Sequence, residues 1–401
     1  MTTPRPPLPR EVVVLGWVSF FADVSSEMIY PLLPLFVVGT LGASATSLGW
    51  VEGVALAVVA ALTAVTGWRS DRVRRRVPYV RLGYALPVLG KAVVAAAVVW
   101  PMVLLGRAID RLGKGIRSSP RDALIADSVA AEDRGRAFGL HRAMDTAGAL
   151  VGVLLAAALL WWLTPSSQHA SAPDAWAFRI VFIVAAALSI VSAGLTFLLR
   201  EVPRPAAAEP TAATDRSSLP RSYWVVVAVM ILFTLANSSD TFLLLRASDV
   251  GVAPWQVVLA YALYNIVYAA VSYPAGVVSD RLGRWRVIGV GWAIYAVVYA
   301  GFAVTGAAGV WPLFATYGLY MALTDGVGKA LVADHAPAAR RGTALGIFYL
   351  ANGGAAVVAS VVAGLLWDRV DHAAPFWLGA IGATIALVCL PFAARLARRS
   401  R

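Results

Sequence analysis

The sequence predicts an all-α polytopic membrane protein, twelve transmembrane helices in two pseudo-symmetric six-helix bundles, with both termini cytoplasmic. Three observations carry this. Of 401 residues 59% are hydrophobic and 14% charged, where a soluble domain has about 25% charged. Apolar runs of the roughly 20 residues needed to cross a bilayer recur along the chain. A set of short polar motifs also occurs twice, at matched places in the two halves.

The first run opens at Val12 behind MTTPRPPLPR. It has neither a short apolar core nor a small-residue cleavage site, so a retained helix is expected rather than a signal peptide. Runs bounded by charge, Pro or Gly place spans at 12–38, 46–67, 79–99, 101–116, 137–163 and 176–199. Residues 200–221, REVPRPAAAEPTAATDRSSLPR, have the composition of a linker. A second set follows at 222–246, 254–277, 286–306, 309–331, 341–366 and 374–396. The expected organisation is an N-terminal half, 1–199, a cytoplasmic linker, 200–221, and a C-terminal half, 222–401.

Net charge +12 would suggest a nucleic-acid partner in a soluble protein. Here Arg and Lys fall in the stretches this topology makes cytoplasmic, around 69–81, Arg117, Arg121, Arg134, Arg136, Arg281, Arg284, Arg286 and the C-terminal tail. The positive-inside rule accounts for them, and no nucleic acid is expected. One cysteine, Cys389, and four scattered histidines supply no metal-ligand spacing. No metal and no cofactor are expected.

Gly67-x-x-Ser70-Asp71-Arg72 recurs as Gly276-x-x-Ser279-Asp280-Arg281, each after the second span of its half. Asp110-x-x-Gly113-Lys114 recurs as Asp325-x-x-Gly328-Lys329, and Asp127 stands seven residues before Arg134-Gly135 as Asp334 stands seven before Arg341-Gly342. Ser25-Ser26-Glu27 has its counterpart in Ser238-Ser239-Asp240. Duplicated halves with a site between them are the architecture of many secondary transporters.

With these motifs the chain resembles the major facilitator superfamily over nearly its whole length. The segments Gly67 to Arg76 and Gly276 to Arg286 are similar to that family's loop signature, and DVSSEMIYPLLPLF and DRLGKGIRSSPRDAL resemble a prokaryotic subgroup described as drug or metabolite exporters. The resemblance implies transport by alternating access, and a latch in which Asp71 pairs with a fourth-span arginine, Arg107. The residues carried over to this gate are Gly67, Asp71, Arg72, Arg107, Gly276, Asp280 and Arg281. Two positions depart from the family pattern: Asp110 stands where a glutamine is usual, and the exporter motif of the fifth span is reduced to Gly148-x-x-x-Gly152-Val153.

Ionisable groups inside a membrane are costly and therefore functional candidates. Asp23 and Glu27 lie one turn apart on the first span, with Tyr30 on the same stripe and Pro31 and Pro34 breaking the helix beyond. Burial and a neighbouring carboxylate both favour a neutral acid, so Asp23 or Glu27 is a proton-coupling candidate; the alternative is a fixed pair with Arg107 or Lys91. Asp110, three residues after Arg107, is the second candidate, with a fixed ion pair as its alternative. Arg142, Asp145, Asp240, Asp325, Lys329 and Asn352 are candidates for the cavity lining. So are Tyr261, Tyr264 and Tyr268, an i, i+3, i+7 stripe with Asn265 beside it, which helix packing would also explain.

The expected function is secondary active transport of a small molecule, as proton-coupled export of a drug-like or metabolite substrate; the alternative is proton-coupled uptake. An enzyme is not expected, because neither H-E-x-x-H, G-x-S-x-G nor a Walker loop is present. A channel fits the two-half repeat poorly. The expected setting is a bacterial inner membrane, with the lipid bilayer, protons and substrate as partners of a monomer.

Overall fold

The computed structural model describes residues 7–73, 75–130, 133–164, 174–201, 219–337 and 341–399. It is helical throughout, 88% helix with no strand among the described residues. Most of the expected linker, 200–221, lies outside them.

The first half comprises α1 (Arg10–Ile29), α2 (Ala45–Val73), α3 (Val77–Ala95), α4 (Trp100–Asp127), α5 (Arg134–Leu163) and α6 (Ala175–Leu195). The second comprises α7 (Arg221–Ala236), α8 (Thr241–Asp249), α9 (Pro254–Leu282), α10 (Arg284–Val304), α11 (Val310–Asp334), α12 (Arg341–Arg369) and α13 (Ala374–Arg399). Among the described residues nine helical stretches are long and apolar enough to cross a membrane, with α7 and α8 joined as one; α3, α4 and α11 are not in that set.

Two expected spans need correction. The fourth, read as 101–116, continues to Asp127. Its buried positions, Gly106, Arg107, Asp110, Gly113, Arg117 and Leu124, follow helical spacing, so the charges that seemed to end the span are its inward face. The seventh, read as the single run 222–246, is broken at 237–240 into α7 and α8, with Asn237 in an extended conformation. No proline marks that break. In the first span Pro31 and Pro34 do mark one: a 3-10 turn, Tyr30–Leu32, and a π-helical segment, Leu35–Thr40, follow α1.

Within the first half α1 packs on α5 and α6, and α4 on α2 and α3; within the second α9 packs on α11, α10 on α11 and α13, and α7 on α13. The halves meet along two seams, α2 against α12 and α5 against α9. Small residues set the first seam. A side chain on Gly49 would run into the Ser360 carbonyl, and one on Gly364 into the backbone of Ala45 and Thr46, so the two backbones are close enough to exclude it. The same holds inside the first half, where Gly148 and Gly152 lie against the carbonyls of Phe20 and Val24.

Candidate functional site

The two helix breaks put polar backbone and carboxylates where the halves face each other. Non-helical backbone at membrane depth is stable only inside protein or along a cavity. Glu27 and Tyr30 sit at the break after α1, and Asp240 closes the break before α8.

Around these points α9 acts as a rack of hydroxyls. Tyr261 donates to Glu27 at 3.2 Å, Tyr264 to Asp240 at 3.5 Å, and Tyr268 to Asp325 at 3.0 Å. The i, i+3, i+7 stripe therefore addresses three carboxylates on three other elements, which packing alone would not require. Tyr261 also lies against Tyr30, with ring centroids 5.6 Å apart, so this contact joins the two halves. Asn265 donates to the Tyr261 carbonyl at 2.9 Å on its own helix.

The first half is wired by charge. Arg107 donates to Glu52 at 2.8 Å, and both are almost fully buried. Asp110 lies 3.9 Å from Lys91, 4.0 Å from Arg107 and 3.7 Å from Arg111. Lys91 also donates to Ser25 at 2.6 Å and Ser26 at 3.1 Å, tying α3 to α1. The guanidinium of Arg107 lies 5.6 Å from the Tyr30 ring, a cation–π distance. Asp145 accepts from Ser19 at 2.7 Å and pairs with Arg142 at 3.3 Å.

This overturns one expectation. Arg107 is held by Glu52, which precedes Asp71 by 19 residues on the same helix, about 28 Å along its axis at 1.5 Å per residue. Arg107 is therefore not the partner of Asp71. The side chains of Gly67, Asp71 and Arg72 lie outside the described residues. In the matching motif Asp280 is an exposed partner of Arg284 at 3.7 Å, Arg281 is exposed, and nothing lies within 4 Å of the position a side chain on Gly276 would take.

Glu52 was missed by the sequence reading, although a lone carboxylate within an apolar run is the signal used for Asp23. Asp368 was missed as well. Its carboxylate accepts from the backbone N–H groups of Ala45 at 2.9 Å and Thr46 at 2.8 Å, and from the Thr46 hydroxyl at 2.6 Å. It thus caps α2 from the other half, satisfying donors that a helix N-terminus leaves free. Beside it a cavity of about 440 Å³ is lined by Leu35, Phe178, Asp249, Trp367 and His372. Toward the opposite end Arg142 and Lys329 are 70% and 46% exposed, and Lys114 is exposed.

The second half is wired by aromatic rings. Phe233 stacks on Trp292 at 4.5 Å and Tyr295 on Tyr299 at 4.0 Å, with Tyr317 and Tyr320 5.2 Å apart beside them. Tyr317 donates to Asp240 at 2.6 Å. Asp325 is held by Lys329 at 2.8 Å. Asn352, the counterpart of Asp145, accepts from Thr234 at 2.6 Å.

Residues 15–318 and 225–401 match the family profile described as Major Facilitator Superfamily. An uncharacterized MFS-type transporter of Methanocaldococcus jannaschii is 33% identical over 392 residues, covering 96% of this chain and 95% of that protein. The chain belongs to the major facilitator superfamily. It is therefore a multi-pass membrane protein of a transporter family, not an enzyme. A superfamily relative in Cronobacter sakazakii, named multidrug resistance protein MdtH, is 27% identical over 277 residues, 68% of this chain and 61% of that one. Among solved superfamily structures, nucleoside transporter NupG superposes with TM-score 0.73 at 14% identity, over 98% of this chain and 100% of that chain. A D-xylose-proton symporter superposes with TM-score 0.72 at 19% identity, over 94% and 95%. At these identities the superpositions speak for the fold alone.

Proposed function

We propose that the chain crosses a bacterial inner membrane twelve times, with both termini cytoplasmic, and exports a small drug-like or metabolite substrate as a monomer by proton antiport and alternating access. The observation that carries this is the position of Asp23 and Glu27. They share one face of α1, and Glu27 accepts a bond from Tyr261 of the other half. A proton arriving on Glu27 removes the charge that makes Tyr261 a strong donor to it. Protonation and the docking of the halves are thereby coupled, as a proton-driven rocking transporter requires.

With cytoplasmic termini, the end sealed by Asp368 and the Gly49 seam is the outer one, and the end with exposed Arg142 and Lys329 faces the cytoplasm. That corresponds to an inward-facing state. Asp110 has three cations around it and fits a fixed charge; Asp23 and Glu27 fit the carrier. The relative named for multidrug resistance supports export over uptake. Gly148 and Gly152, the remnant of the exporter motif, retain a reason to be glycine in the α1–α5 contact.

Proton flux in proteoliposomes under an imposed pH gradient tests this, with panels of cationic drugs, sugars and organic acids added in turn. Substrate-dependent proton counterflow is expected, reduced at least about tenfold in Glu27→Gln with expression unchanged. Co-directional flux would make the protein an uptake symporter, and coupled flux unchanged in both Glu27→Gln and Asp23→Asn would remove these residues from the mechanism.

A further inference from the structure

Asp240 differs from the ion-paired carboxylates of the interior. Glu52 has Arg107; Asp110 has Lys91, Arg107 and Arg111; Asp145 has Arg142; Asp325 has Lys329. Asp23 and Glu27 also lack an ion pair within 4 Å among the described residues, and Glu27 has one hydroxyl donor, Tyr261. Asp240 accepts from the Tyr317 hydroxyl at 2.6 Å and has the Tyr264 hydroxyl at 3.5 Å. No cationic side chain among the described residues comes within ion-pair distance of it.

A lone charge at membrane depth is expensive, and neutral hydroxyl donors offset only part of that cost. The helix break at 237–240 nevertheless holds Asp240 in this position. The Tyr317 and Tyr264 hydroxyls reach it from α11 and α9, and the Tyr317 ring packs against those of Tyr264, Tyr295 and Tyr320 at centroid distances of 5.4, 6.5 and 5.2 Å. A carboxylate beside a cluster of aromatic rings is the chemistry that recognises ammonium and related cations. The exposed cations of the cleft do not make an equivalent anion site, because Arg142 and Lys329 each already hold a carboxylate on their own helix.

We infer that Asp240, with the rings of Tyr264 and Tyr317, forms the cation subsite of the cleft, and that the transported substrate is an organic cation which supplies the missing counter-charge. When the cation leaves, one proton takes its place on the Asp240 carboxylate, so that charge at this point balances in both states. The two tyrosine hydroxyls that now donate to Asp240 turn aside for the ligand. This names the substrate class of the proposed exporter and rests on that reading, but it concerns binding and is testable without flux.

The experiment is equilibrium binding of radiolabelled tetraphenylphosphonium to the purified full chain in detergent. Saturable binding is expected, weakening as pH falls and releasing up to one proton per bound cation. Asp240→Asn is expected to weaken binding about tenfold or more, a loss of about 1.4 kcal/mol or more, whereas Asp371→Asn, on the exposed turn before α13, leaves it unchanged. Tyr317→Phe, which keeps the ring, retains binding; Tyr317→Leu weakens it. If Asp240→Asn does not fold by its melting curve, Asp240→Glu and the pH competition on the wild type decide the question. Absence of saturable binding by the wild type, or binding by folded Asp240→Asn within threefold of the wild type, overturns the inference. Binding that holds while proton counterflow fails would reject antiport and leave the subsite standing.

Discussion

The interiors of the two halves solve one problem with different chemistry. In the first, α2, α3 and α4 bury Glu52, Lys91, Arg107 and Asp110 in contact with one another. In the second, the positions around the matching helix break are filled by Phe233, Trp292, Tyr295, Tyr299, Tyr317 and Tyr320, with Asp240 alone among them. The two stretches that carry matching motifs thus bury their polar groups with different side chains. A charge cluster is rigid, because each member is costly to leave unpaired. A ring cluster with hydroxyl rims can exchange partners at small cost, and the ion-free wall is therefore the one suited to an exchangeable guest.

The largest effect should come from breaking the charged interior on one side only. Arg107→Ala leaves Glu52 buried without its cation and Asp110 with fewer. A destabilisation of about 3–5 kcal/mol is expected, read as a large fall in melting temperature in detergent. The double change Arg107→Ala with Glu52→Gln should recover part of that loss, because the stranded charge is gone. A single-variant loss below about 1 kcal/mol would mean that water reaches the cluster and that the contrast between the halves is wrong.

Next come the close helix contacts. Gly152→Ala drives a methyl group into the Val24 carbonyl, and overpacking of this kind costs about 1–3 kcal/mol. Gly139→Ala, on the same helix with nothing within 4 Å, should cost nothing measurable. Equal melting temperatures for the two variants would show that α1 and α5 slide apart freely.

Asp368→Ala tests the sealed end. It removes the cap on α2 and strands the Ala45 and Thr46 N–H groups and the Thr46 hydroxyl, so a loss of about 1–3 kcal/mol is expected, expressed as a shift toward opening between the halves. In a Cys389→Ser background, a single cysteine placed at Val38, which also lines the adjoining cavity, should react several-fold faster, roughly tenfold per 1.4 kcal/mol, once Asp368 is gone. An unchanged labelling rate would mean that the glycine seam alone holds this end closed.

These three sites differ in how far the sequence announced them. The helical membrane fold and the shared face of Asp23 and Glu27 on α1 were legible, since they rest on local pattern: apolar run length and an i, i+4 relation. The reach of α4 to Asp127 was not, because a charged inward face reads as a span ending. Nor was the break at 237–240, where Asn237 carries no proline signal. The Glu52–Arg107 and Asp368–Ala45 contacts pair residues far apart along the chain, and only the packing of α2 against α4 and α12 brings them together. The family resemblance supplied a partner for Arg107, and geometry replaced it.

The smallest expected effect is the sharpest test of the aromatic half. The Tyr299 hydroxyl meets Ser238 at 3.4 Å, beyond good hydrogen-bond length, while its ring stacks on Tyr295 at 4.0 Å. Tyr299→Phe keeps the stack and gives up a weak bond, so a cost at or below about 1 kcal/mol is expected. Tyr299→Leu removes the ring interaction as well and should cost about 0.5–1.5 kcal/mol more. If the phenylalanine variant loses as much as the leucine variant, the hydroxyls rather than the rings hold this wall together. The second half would then be a hydrogen-bonded network, tied to fixed partners no less firmly than the charged cluster facing it. Its freedom to receive a guest at Asp240 would be lost with the contrast.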